Sequence, residues 1–177
     1  MEKEKRIVGY WLCPAEPARS GLAELIANLA RQFDAPVFEP HITIYVTNAE
    51  HENPGAVLEK VLKGRELFRL TVTGLDYSEE FTKTLFVQFA PDPDLARLSE
   101  DLRRASVTRN DYELNPHVSL MYKEMDEETK RRLASSITLP FTEVTFDNVK
   151  AIISPAEIKS RQDVEAWRVV AEQSVAG

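Results

Sequence analysis

The sequence is poor in several things whose absence narrows its chemistry. One cysteine, Cys13, leaves no partner for an internal disulfide, which fits a reducing cytosol. Only three histidines accompany it, so no convincing cluster of metal ligands can be assembled from His and Cys. Six glycines against ten prolines give many defined stops and no long flexible linker. The longest apolar run, Ile7 to Cys13, is far too short to cross a bilayer. It follows a charged start, Met1 to Arg6, whose mixed signs and lack of a small-residue cleavage site argue against a signal peptide. An excess of basic charge is missing too. With 22 Lys and Arg against 29 Asp and Glu, the net charge of −7 opposes extended contact with a long phosphate backbone. A small phosphate-bearing ligand needs only a few aimed donors and stays open. The expectation is a soluble, cytoplasmic monomer with no membrane partner.

What is present is ordered. The chain's 177 residues suit one domain, or two lobes sharing a core. Arg6 to Cys13 reads as a strand. Leu22, Leu25, Ile26, Leu29 and Phe33 then follow the helical period. His41 to Val46 is a second strand, Asn53-Pro54 opens a second helix, and Leu67 to Tyr77 is a third strand with Gly74 as a bulge. The order then repeats. Thr84 to Ala90 is a strand, Asp92-Pro93 opens a helix, and His117 to Tyr122 is a strand. Asp126 to Ile137 is a helix, and Glu143 to Ser154 and Glu165 to Ser174 are strands.

Spacing supports a duplication. Pro14 to His41 spans 27 positions and Pro91 to His117 spans 26. Phe38-Glu-Pro-His-Ile-Thr-Ile matches Leu114-Asn-Pro-His-Val-Ser-Leu. Two βαβ-type halves, about 1–80 and 81–177, related by a pseudo-twofold axis, are the simplest reading. The last strands are expected to cross between lobes of one bilobal domain.

His41 and Thr43 lie two apart on a strand, so both face one side, while Ile42 and Ile44 face the core. His117 and Ser119 repeat the pattern, with Val118 and Leu120 inward. Two such strands would put two imidazoles and two hydroxyls across one cleft. A lone strand histidine is more often a packing or surface residue. Imidazole at both equivalent positions is not something a core requires.

The paired His-x-Thr and His-x-Ser motifs, 76 positions apart, resemble those of the two-histidine phosphoesterase superfamily. The contexts Tyr10-Trp-Leu-Cys-Pro14 and Pro-His-Val-Ser-Leu-Met-Tyr122 look most like its cyclic phosphodiesterase-like branch. The resemblance implies an α+β, bilobal fold with antiparallel sheets around a central cleft. It also implies hydrolysis of cyclic phosphates without a metal or other cofactor. By the same resemblance His41 is the acid for the leaving ribose oxygen and His117 the base for water.

The residues make sense of that chemistry. An imidazole titrates near ~6.5, so one can be neutral while its partner is protonated. Thr43 and Ser119 are neutral donors for phosphoryl oxygens. Trp11 could stack on a base or cap a ribose, or could be a core residue. Counting from Pro14 and Pro91 aligns it with Gln88. The resemblance places Tyr122 on the ligand, yet strict alternation turns it away from the His117 face. It reaches the cleft only where the strand ends or bulges near Met121. Tyr45 shares the His41 parity. His51, Arg103-Arg104 and Arg131-Arg132 read as solvated, Arg109 and Lys123 as near the second motif, and Cys13 as packing.

The leading expectation is a hydrolase for small 2′,3′-cyclic nucleotides or ADP-ribose 1″,2″-cyclic phosphate. One alternative opens 2′,3′-cyclic phosphates at RNA 3′ ends, with 2′-5′ RNA ligase-like activity. Another is a non-catalytic nucleotide-binding module. A basic track leading out of the cleft would favour RNA.

Overall fold

The computed structural model describes residues 4–175; the first three residues of the charged start lie outside it. Seven strands and five α-helices alternate through an α+β fold. The strands are β1 (Arg6–Pro14), β2 (Ile42–Asn48), β3 (Phe68–Tyr77), β4 (Leu85–Phe89), β5 (His117–Met121), β6 (Glu143–Pro155) and β7 (Arg168–Ser174). The helices are α1 (Ala18–Phe33), α2 (Pro54–Leu62), α3 (Pro93–Ala105), α4 (Glu127–Ser136) and the short α5 (Arg161–Glu165). Neither α5 nor a 3-10 turn at Phe81–Lys83 has a visible sequence period, since each is a turn or so long.

The helix starts follow side-chain chemistry. Asn53 accepts from the Ala56 amide, Asp92 from Leu95 and Asp126 from Thr129, each satisfying an amide left over at a helix N-terminus. Leu22, Ile26, Leu29 and Ala30 give α1 its buried stripe.

Every paired strand is antiparallel to its neighbours, in the order β2-β1-β6-β3-β4-β5, with β7 also on β6. β3 links the two lobes. Its first residues, Phe68 to Thr71, pair with β6, and Val72 to Tyr77 pair with β4. The switch coincides with a register shift between Val72 and Gly74, where Gly74 has φ of 151°, a value that side chains rarely tolerate. The bulge expected at Gly74 is there.

The helices are exchanged between halves. α1 packs on β5 and α3 packs on β2, so each motif strand is covered by the other half's helix. Ser99 of α3 pins this crossing by donating 2.6 Å to the Ile44 carbonyl of β2, fully buried. The loop after α3 straps the outer edge of β2. Thr47 and Tyr45 both donate to the Thr108 carbonyl, and Tyr112 donates to the Thr43 carbonyl.

Replacing Ser99 with alanine should orphan that buried carbonyl and cost about 1–3 kcal/mol. Urea unfolding followed by circular dichroism would measure it; an unchanged midpoint would mean the crossing bond contributes nothing.

Candidate active site

The two motif strands β2 and β5 bring His41, Thr43, His117 and Ser119 to the wall of one cleft of about 340 Å³. His41 immediately precedes β2, whereas His117 opens β5. Both rings are held alike. His41 Nδ1 lies 2.7 Å from the Glu39 carbonyl, and His117 Nδ1 lies 2.7 Å from the Asn115 carbonyl. A carbonyl only accepts, so the neutral rings carry their proton on Nδ1 and leave Nε2 as the free nitrogen.

Burial governs their protonation. The His41 imidazole is pushed down to about 3, first by loss of water, against a smaller opposing effect of the Glu39 carbonyl, with the proximity of His117 adding repulsion. His117 is lowered less, again mainly by burial, with Lys83 pressing the same way and Glu80 against it. A proton therefore settles on His117 before His41.

The hydroxyls differ. Thr43 is half-buried on the cleft wall. Ser119 is buried and gives its one proton to the Thr82 carbonyl at 2.7 Å. It must rotate off that carbonyl before it can donate to a phosphoryl oxygen.

Trp11 lines the cleft, but His41 occupies one face of its indole, with centroids 3.6 Å apart and planes at 8°. Its pseudo-symmetric partner is not Gln88. A register shift between Tyr10 and Trp11 sets Trp11 across from Thr43, and Phe86 stands across from Ser119. Phe86 meets His117 edge-on at 5.5 Å. Counting from the prolines misaligned the strands because Pro14 lies three positions after Trp11 while Pro91 lies five after Phe86. Gln88 instead hydrogen-bonds the loop ahead of His117.

Tyr122 reaches the cleft by the expected route. β5 ends at Met121 after a register shift against Leu85 and Phe86, and the Tyr122 ring stacks on Phe38 at 4.1 Å. Burial raises its hydroxyl pKa. Tyr45 turns into the core beneath the strap. Exposed His51, and Arg109 and Lys123, stay off the cleft wall; the last two bond the Arg104 and Asp34 carbonyls. Burial pushes the Cys13 thiol up to about 12, so it stays protonated and packs as a small apolar group.

Three cleft residues escape the motif reading. Trp167, just ahead of β7, meets Trp11 edge-on at 5.0 Å and Tyr122 at 5.8 Å. Its large apolar ring in a polar stretch was the available signal. Tyr112 arrives on the strap, its hydroxyl pushed up to about 12 by burial. Lys83 arrives on the 3-10 turn, over the Phe86 ring.

Residues 7–175 match the family described as cyclic phosphodiesterase-like protein. The chain belongs to that family. A cyclic phosphodiesterase of Arabidopsis thaliana is 25% identical over 134 residues, spanning 73% of this chain and 72% of the relative. Two solved structures have the same fold. TT0787 of Thermus thermophilus superposes with a TM-score of 0.62 at 18% identity, covering 96% of this chain and 97% of that one. LigT of E. coli, solved with 3′-AMP, gives 0.62 at 13% identity, covering 98% and 100%. Membership makes this cyclic phosphodiesterase-like chain a phosphodiesterase of the two-histidine phosphoesterase superfamily. None of the helices among the described residues is long and apolar enough to cross a membrane.

The depressed histidines carry a linkage consequence. The unfolded chain binds protons near pH ~6.5, while folded His41 refuses them until about 3, so stability is complete above the upper value and drains away as pH falls. The slope reaches ~1.4 kcal/mol per pH unit for each histidine held neutral. Denaturant midpoints measured from pH 7 to 5 should fall, and less steeply in His41→Gln. Equal slopes in both proteins would contradict the depressed His41.

Proposed function

We propose that the chain hydrolyses small cyclic phosphates, 2′,3′-cyclic nucleotides or ADP-ribose 1″,2″-cyclic phosphate, to monoesters by acid–base catalysis between His41 and His117. The observation that carries this reading is the pair of imidazoles on one cleft, each held through Nδ1 with Nε2 left for substrate. One neutral Nε2 takes a proton from water as its oxygen bonds to phosphorus. The ring P–O bond breaks, and the departing ribose oxygen takes the Nε2 proton of the other imidazolium. One proton enters and one leaves, so the pair ends with its states exchanged and resets through solvent. Family resemblance gives His41 the acid's part and His117 the base's. The anionic phosphate between them favours the imidazolium that this requires.

Thr43 serves as the standing donor to a phosphoryl oxygen, and Ser119 joins after leaving Thr82. Trp167 and Tyr122, with the edge of Trp11, give the nucleoside an aromatic wall. The small substrate is favoured over RNA because, besides the two histidines, Glu80 and Lys83 are the only ionisable acidic and basic residues on the cleft wall among those described, so the wall itself carries no cluster of basic charge for a phosphate backbone.

His41→Ala and His117→Ala should each lose ~10²–10⁴ in kcat. A phosphodiester with a p-nitrophenolate leaving group, which departs without a proton, should restore turnover to the acid's variant only. Near-native hydrolysis of cyclic phosphates by either variant would remove that histidine from the mechanism. Activity should survive EDTA, and complete loss reversed by a divalent ion would point to metal catalysis.

Thr43→Ala should cost about 1.5–3 kcal/mol of transition-state stabilisation, and Ser119→Ala less, since its hydroxyl must first abandon a carbonyl. Comparing kcat/KM on a mononucleotide cyclic phosphate decides this; a larger loss for Ser119→Ala would reverse the assignment.

A further inference from the structure

Each imidazole hangs on the carbonyl two residues before it, and each of those carbonyls belongs to the residue preceding a proline, in Glu39-Pro40-His41 and Asn115-Pro116-His117. Proline supplies no amide, so these short loops have one fewer backbone bond to hold them. In both halves a side chain from another strand of the sheet reaches the loop instead, from β6 beyond β1 in one and from β4 beside β5 in the other. Lys150 of β6, across from Trp11 in register, forms an ion pair with Glu39 at 2.5 Å, the two side chains being 16% and 35% exposed. Gln88 of β4, across from His117 in register, donates its carboxamide to Asn115 Oδ1 at 2.9 Å and to the Pro116 carbonyl at 3.0 Å. One anchor is ionic and one is neutral, yet both grip the residue that holds a motif histidine. Packing alone does not call for a polar tie at both places. Neither Lys150 nor Gln88 lies on the cleft wall.

We propose that Lys150 and Gln88 are positioning residues, Lys150 for His41 through Glu39 and Gln88 for His117 through Asn115. Each keeps one carbonyl where it captures Nδ1–H, and so holds the ring in one tautomer and one orientation. The inference rests on the acid–base reading of the two histidines. Freed of its anchor, the carbonyl drifts, the proton spreads over both ring nitrogens, and Nε2 no longer meets its reacting atom. Misplacement of a catalytic group by about an ångström costs up to ~10²-fold in rate.

The decisive experiment records long-range ¹H–¹⁵N spectra of the histidine rings, alongside kcat and KM on a 2′,3′-cyclic nucleotide, for Lys150→Met and Gln88→Leu. Lys150→Met should shift His41 from the Nδ1–H pattern toward a tautomer mixture and leave His117 unchanged. Gln88→Leu should do the converse. Each should lower kcat roughly 10–100-fold with KM within about twofold, and Lys150→Arg should restore both the His41 spectrum and turnover. Should Lys150→Met fail to fold, Glu39→Ala cuts the same tie from its more exposed end and should give the same His41-specific change. Unaltered ring spectra in the folded variants, or both rings responding to either substitution, would overturn the proposal. Lack of hydrolysis by the wild-type protein would instead sink the acid–base reading, while the ring spectra still judge the anchors.

Discussion

Placing two imidazoles on one cleft, His41 buried and His117 half-buried, makes charging both of them costly, and the rest of the cleft is organised around that constraint. Removal from water lowers the pKa of each ring, and the nearby His117 further disfavours a proton on His41. Both rings are thus held toward their neutral forms, and in the proposed mechanism the anionic phosphate supplies the charge that lets one take its proton. The same burial that weakens the free histidines as bases makes their interaction with a bound phosphate stronger than water would allow.

The aromatic lining reinforces this. An indole laid face-on against His41 excludes water from one side of the ring, while Trp167 and Phe38 approach it edge-on at 6.0 and 6.5 Å. His117 has a lighter cover, with Phe86 edge-on and Lys83 above that phenyl ring. The pseudo-twofold relation that equates the two motifs is thus broken around them. Two chemically identical groups thereby acquire unequal affinities for a proton.

Much of this was legible in the residues. The Asn and Asp caps, the apolar stripes and the repeated Pro-His-x-hydroxyl segments all act locally, so their positions along the chain convey their effect. The bulge at Gly74 was legible for the same reason. Trp167 was not, because the long β6 and the turn after it carry it back to the cleft from the chain's far end. Nor was Phe86, whose relation to Trp11 rests on the pairing of each with its motif strand, which counting along the chain does not display. The fate of the Ser119 proton likewise depends on a carbonyl 37 residues away in sequence. Local rules located the motif residues that share the cleft; distant packing decides their hydrogen bonds and burial.

The exchange of helices ties the two motif strands into one folding unit. A single half would leave its motif strand bare, since the helix covering that strand belongs to the other half. Two separate chains could close the same arrangement only by each lending its helix to the other. Within one chain a tether replaces that concentration-dependent encounter. One chain also lets the two histidine environments differ, which an assembly of identical chains forbids.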